Sequence, residues 1–178
     1  MNPKDLLCQF KIELLKIEPA IWRRIQVPRE YSFWDLHVAI QDAMGWLDYH
    51  PHEFEIKGAH KSKPDFIGIP DDEFPDDRKI LPSWERPIKY HIDLPGRTAV
   101  YRYDFGDGWE HSVLLEAILL KEKGQKYPVC LDGERACPPE DCGGVSGYYE
   151  LLEIVKDPKH PEYDSMREWL NGHAQSYW

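Results

Sequence analysis

The stretch Thr98-Ala99-Val100-Tyr101-Arg102-Tyr103-Asp104-Phe105-Gly106-Asp107-Gly108-Trp109-Glu110-His111-Ser112-Val113-Leu114-Leu115-Glu116-Ala117-Ile118 decides how this chain folds. Thr98 to Asp104 and Glu110 to Ile118 read as two strands. Phe105-Gly106-Asp107-Gly108-Trp109 is the loop between them, with two glycines free to take φ > 0. Upstream, Cys8, Phe10, Ile12 and Leu14 alternate with Gln9, Lys11 and Glu13, the period of a half-buried strand. Ile21 to Val27, closed by Pro28, reads as its antiparallel partner across the turn Glu18-Pro19-Ala20. His52, Phe54 and Ile56 alternate with Glu53 and Glu55, and Ile88, Tyr90 and Ile92 alternate again, which predicts two further strands.

One helix is well marked. Ser32 is a good N-cap with Asp35 three residues on, and Tyr31 can staple onto Leu36. Leu36, Ile40, Ala43, Met44 and Leu47 then form one apolar stripe, with Gly45 at the end. Residues 57–86, rich in Pro, Asp and Gly, read as a long connection with one short element. Residues 121–147 read as an irregular Pro/Cys/Gly-rich loop. Tyr148, Leu151, Leu152 and Val155 predict a helix ending near Asp157-Pro158. Tyr163, Met166, Trp169 and Leu170 predict a last one stopped by Gly172. The fold class expected is α+β: a largely antiparallel sheet packed with one long helix and two shorter C-terminal helices, in a single domain over residues 1–178.

Composition narrows the function. The chain has 178 residues, 22 basic and 32 acidic, for a net charge of -10. Residues 100–178 hold 15 of the acids against 8 bases, so most of the excess lies in that part. The run Asp71-Asp72-Glu73-Phe74-Pro75-Asp76-Asp77 is nearly balanced by Lys61, Lys63, Arg78 and Lys79 and reads as a solvated loop. Nucleic-acid affinity comes mainly from Lys and Arg neutralising phosphates, so the charge disfavours that partner. No run approaches a membrane span, and Met1 to Phe10 lacks the apolar stretch of a signal peptide. A cytoplasmic chain is expected. Seven Trp and ten Tyr point to a large core or a contact surface. Trp22, Trp34, Trp46 and Trp109 fit either.

Two clusters carry the chemistry: Tyr103 to His111, and Cys130 followed by Gly133-Glu134-Arg135-Ala136-Cys137-Pro138-Pro139-Glu140-Asp141-Cys142-Gly143-Gly144 and Gly147-Tyr148. In this order they resemble the plasmid pRiA4b ORF-3-like family, found on plasmids and beside mobile elements in bacteria and archaea. Ile21-Trp22-Arg23-Arg24, Phe33-Trp34-Asp35-Leu36-His37 and Ala43-Met44-Gly45-Trp46 are similar to it as well. The resemblance covers about Cys8 to Tyr149. It implies a compact α+β domain with a sheet flanked by helices. Some members carry a resolvase or mobile-element passenger label, but no nucleophilic Ser or Tyr with an arginine cluster stands out here.

Read on their own, Cys130, Cys137 and Cys142 with His111 supply three thiolates and one imidazole, a donor set for tetrahedral zinc. The spacing lacks the Cys-x2-Cys knuckle, and the plainer reading is small buried thiols under a proline-stiffened loop. Asp104, Asp107, Glu110, Glu140 and Asp141 with His111 are a second set. Converging, they would suit a hard cation or acid–base hydrolysis. The plainer reading has Asp104 and Asp107 bonding turn amides, and Glu140 and Asp141 capping or pairing with Arg102 or Arg135. His50 and His52, one residue apart, would share a face in a strand. Polar packing is preferred to metal ligation there.

The function expected is a non-enzymatic protein-interaction module, with a surface built from the 103–111 hairpin and the 130–148 loop and a protein partner. The alternative is a metal-dependent hydrolase-like enzyme using Asp104, Asp107, His111, Glu140 and Asp141. A DNA-related role in mobile-element biology comes third.

Overall fold

A computed structural model describes residues 5–57, 63–70 and 78–174. The acidic run at 71–77 lies outside the described residues. The strands are β1 (Leu6–Leu14), β2 (Ile21–Pro28), β3 (His52–Ile56), β4 (Asp65–Gly68), β5 (Ile80–Pro82), β6 (Thr98–Tyr103), β7 (Trp109–Leu120) and β8 (Val129–Glu134). The helices are α1 (Phe33–Met44), α2 (Gly144–Lys156) and α3 (Tyr163–Ala174), of 12, 13 and 12 residues. The strands form one sheet in the order β5-β4-β3-β6-β7-β1-β2-β8, antiparallel except for the β4–β5 pair. The fold is therefore α+β with a largely antiparallel sheet.

Register follows from the period-2 pattern. Phe10 stands opposite Ile25 and Leu115, and Leu14 opposite Ile21 and His111. One face thus collects Phe10, Ile12 and Leu14 of β1, Tyr101 and Tyr103 of β6, and Trp109, Val113 and Leu115 of β7, all buried. The intervening positions on the opposite face carry charge: Arg24 pairs with Glu116, and Arg102 with the buried Glu53 and with Glu55 and Glu110. A one-residue slip would exchange the two sets, so burial holds the register.

Helix α1 lies in the same core through Leu36, Ile40 and Met44. Removing each such side chain from water contributes roughly 1.5–3 kcal/mol. Its start is the capping box expected at Ser32 and Asp35, and Gly45 closes it in the left-handed region at φ 87°. Immediately beyond, Trp46 is buried in the core.

Five expectations need correction. The two C-terminal helices, of 13 and 12 residues, are no shorter than α1. The 57–86 connection holds two short strands, β4 and β5, rather than one element, and they pair in parallel at the sheet edge. Ile88, Tyr90 and Ile92 are not a strand: Ile88–Tyr90 is a turn of 3-10 helix, with Ile92 N donating to Ile88 O. Ile88 and Ile92 are both buried while Tyr90 is 72% exposed, so the alternation was one helical turn seen at i and i+4. The 121–147 loop contains β8, which adds to the free edge of β2. Gly172 does not stop the last helix, which runs through to Ala174.

Candidate functional site

Everything around the two sequence clusters is built on the turn between β6 and β7. Asp104 leaves β6 in the left-handed region, and its Oδ1 accepts from Gly106 N at 3.0 Å and Asp107 N at 3.2 Å. This self-bonded turn presents Asp107, whose Oδ2 accepts from Gly143 N at 3.2 Å. Behind it, Gly144 lies against the Asp107 backbone, and a Cβ there would meet Asp107 O at 2.3 Å. A Cβ at Gly147 would meet Cys142 O at 1.9 Å. The glycines of the second cluster are the positions where two backbones touch.

Glu140 is the keystone between hairpin, loop and the segment that follows α1. It is buried, accepts from Leu47 N at 2.9 Å, and accepts a short hydrogen bond from the Tyr103 hydroxyl. Tyr103 Oη in turn accepts from Tyr49 N at 3.0 Å. Burial, with the adjoining Glu140 carboxylate, pushes the Tyr103 hydroxyl far above the usual tyrosine range, so it stays a donor. Trp46 Nε1 donates to Pro138 O at 2.9 Å, fixing the Pro-Pro step.

Next to this weld, three donors from three chain segments converge. His50, just before β3, puts Nε2 3.1 Å from Asp141 Oδ1 and 3.6 Å from Asp104 Oδ2. One donor atom from each of the three lies within 4.8 Å of the others, and this is the group of three or more His, Cys, Asp or Glu donors so gathered among the described residues. Asp104 is buried and Asp141 exposed, so the cluster opens to solvent on one side. Tyr49 and Phe105, the chain neighbours of His50 and Asp104, are 71% and 60% exposed.

Of the six carboxylate and histidine candidates, the cluster unites Asp104 and Asp141. Asp107 and Glu140 hold backbone amides beside it. His111 faces the other way, into the core between Trp46 and Tyr101, with Nδ1 donating weakly to Tyr101 O at 3.4 Å. Burial pushes its pKa down to about 4. Glu110 is on the outer face, paired with Lys16 and Arg102. Arg102 is committed to Glu53, Glu55 and Glu110, so it does not serve Glu140 or Asp141 as the plainer reading expected.

The thiols are not drawn together with His111. Cys130 is exposed on β8, its Sγ 3.6 Å from Asp132 O. Cys137 Sγ lies 3.2 Å from Met44 Sδ, and Cys142 Sγ 4.0 Å from Gly144 O. Burial pushes both of these thiols up to about 12. They sit as small apolar groups under the loop.

The His-x-His pair divides. While His50 joins the carboxylates, His52 is buried and stacks on His37 with ring centroids 3.6 Å apart. Gln41 Nε2 donates to Tyr101 Oη at 2.9 Å, which directs the tyrosine proton to His37 Nδ1 at 2.7 Å. His37 Nε2 then donates to Asp48 Oδ1 at 2.8 Å. Desolvation holds His37 near 4 and His52 near 3, so both are neutral. This network was not visible in sequence, where His37 stood out only as part of the family-like Phe33–His37 stretch and Gln41 only as a helix residue. Their i, i+4 spacing toward one tyrosine was the available signal.

Between α2 and α3 lies a groove of about 420 Å³ that begins at Asp141 and Cys142. Asp141, Glu150 and Glu162 line it together with Leu151, Met166 and Trp169, and no Lys or Arg does so among the described residues. Also among the described residues, no helix is long and apolar enough to cross a membrane.

A model of the plasmid pRiA4b ORF-3-like protein family matches residues 7–178, which reaches past Tyr149 to take in all three helices. An uncharacterised protein, y4hQ, of Sinorhizobium fredii (strain NBRC 101917 / NGR234) is 35% identical over 161 residues, covering 90% of this chain and 79% of that protein. The crystal structure of a protein of unknown function, MM3350, from Methanosarcina mazei Go1 is similar with a TM-score of 0.81 at 42% identity. That likeness covers 93% of this chain and 89% of the other.

Proposed function

We propose, for a chain that belongs to the plasmid pRiA4b ORF-3-like family, that it is a protein-interaction module holding a basic, partly apolar segment of a protein partner in the α2–α3 groove. The groove's lining carries this reading: three carboxylates, no Lys or Arg among the described residues, and an apolar floor with Trp169. Such a surface favours Lys or Arg heads at its rim and aliphatic stems or Leu-like side chains within. The hairpin–loop weld supports it by holding Asp141 and the start of α2 at fixed height, so that little ordering cost falls on binding. The acid excess of residues 100–178 agrees with a basic partner and argues against phosphate backbones.

The test is fluorescence anisotropy with a labelled peptide alternating Arg and Leu, against an acidic peptide of equal length. Binding of the basic peptide that weakens with salt and falls at least tenfold in the double variant Glu150→Lys, Glu162→Lys supports the reading. Equal binding of both peptides, or indifference to the charge reversal, overturns it. A second reading, metal-assisted hydrolysis, is favoured by the convergence of His50, Asp104 and Asp141 beside an open groove. Turnover of activated ester or phosphate substrates that depends on added metal would favour it over the first.

A further inference from the structure

We propose that His50 Nε2, Asp104 Oδ2 and Asp141 Oδ1 bind a single first-row divalent cation. Donors around a cation at bond lengths of ~2.1 Å stand about 3.0 Å apart along an octahedral edge and about 3.4 Å along a tetrahedral one. The imidazole nitrogen here is 3.1 and 3.6 Å from its two carboxylate neighbours. That spacing spans both geometries.

The second observation is the state of the imidazole nitrogen. The His50 side chain is 27% exposed, but its Nε2 is itself shielded from solvent, and its approaches to Asp141 Oδ1 and Asp104 Oδ2 lack the geometry of hydrogen bonds. A shielded nitrogen that makes no hydrogen bond costs about 1–3 kcal/mol. A cation held between the three donors removes that cost.

The surroundings fit as well. Asp104 Oδ1 is held by the amides of Gly106 and Asp107, which orients Oδ2 toward His50 in the manner of an outer-sphere support. Asp141 is exposed, giving access and leaving the remaining positions for water or a ligand. One imidazole with two carboxylates suits Zn²⁺ or Mn²⁺ better than the oxygen-preferring Mg²⁺ and Ca²⁺. The cation would tie the approach to β3, the end of β6 and the loop before α2 into one unit. This site stands apart from the peptide groove, sharing only Asp141 with it.

The experiment is calorimetric titration of Mn²⁺ and Zn²⁺ into the chelator-treated full chain without peptide, with Mn²⁺ also followed by loss of its free spin-resonance signal. One equivalent is expected. Affinity should fall about a hundredfold in His50→Gln and in Asp141→Asn, and stay unchanged in Cys137→Ser and Cys142→Ser. Bound Mn²⁺ should broaden the His50 ring resonances of the unsubstituted protein, a readout that needs no variant to fold. No binding, binding unaffected by both ligand substitutions, or loss of binding in the cysteine variants overturns the proposal. Since peptide is absent, failure here leaves the groove reading intact, and failure of the groove leaves this one intact.

Discussion

At Gly144 a Cβ would stand 2.3 Å from Asp107 O, a backbone atom that cannot swing aside, and the residue sits at φ 67°. Gly144→Ala should therefore cost about 3 kcal/mol, read from urea denaturation, because both overlap and a left-handed backbone oppose it. Stability unchanged from the parent would mean that hairpin and loop are not packed as described. Tyr103→Phe removes one hydrogen bond donated to the buried Glu140 carboxylate and the acceptor for the Tyr49 amide. A loss of about 1–3 kcal/mol is expected by the same measurement, and a neutral result would deny Glu140 its linking role. The Gly-Gly pair was conspicuous in sequence, yet its reason was not, because the partner backbone lies some 36 residues upstream at Asp107. His50 and His52 show the same limit. Strand period alone places both on one face, while the strand itself begins only at His52.

Among the elements, the inner layer of α1, β3 and β7 sets a pH dependence. Burial holds His37, His52 and His111 near 4, 3 and 4, below the ~6.5 of an unfolded histidine. The unfolded chain thus takes up these protons first. Their contribution is fully present above pH ~6.5 and is lost as pH falls toward 4, on the order of 3 kcal/mol per histidine before coupling between the stacked pair. Glu110, held low by Lys16 and Arg102, and Glu116, held low by Arg24, add losses only as pH falls below the usual carboxylate range. Melting temperature should therefore drop between pH 6.5 and 5, and His52→Phe should flatten that slope. A flat profile in the parent protein would contradict neutral buried histidines. At the N-terminus of α1, Ser32→Ala removes one half of a capping box and should cost about 1 kcal/mol in denaturant, whereas no change would mean that the cap is idle. That helix and the β1–β2 and β6–β7 pairs were legible because each carries its own period and its own stop signals. β8 was not: five of its six residues are exposed, and its pairing comes from the free edge of β2 rather than from any alternation of its own. β4 and β5, of four and three residues, are too short to show a period.

Over the whole molecule, charge and aromatic content take on separate meanings. Trp46 and Trp109 are core, as the burial of both shows, while Trp169 lines the acidic groove. The excess of acids in residues 100–178 was countable from sequence. Its concentration along the groove, through Asp141, Glu150 and Glu162, needed the packing of α2 against α3 to appear. The two proposals meet at Asp141 but make different demands on the protein, one for metal alone and one for a basic chain. The most direct measurement is amide chemical-shift mapping of the full chain during titration with the Arg–Leu peptide. The account predicts perturbations centred on Asp141, Glu150, Glu162, Met166 and the Trp169 indole, weakening as salt rises. Perturbations confined to the β5 or β8 sheet edges, or none at peptide concentrations that saturate anisotropy, would contradict it.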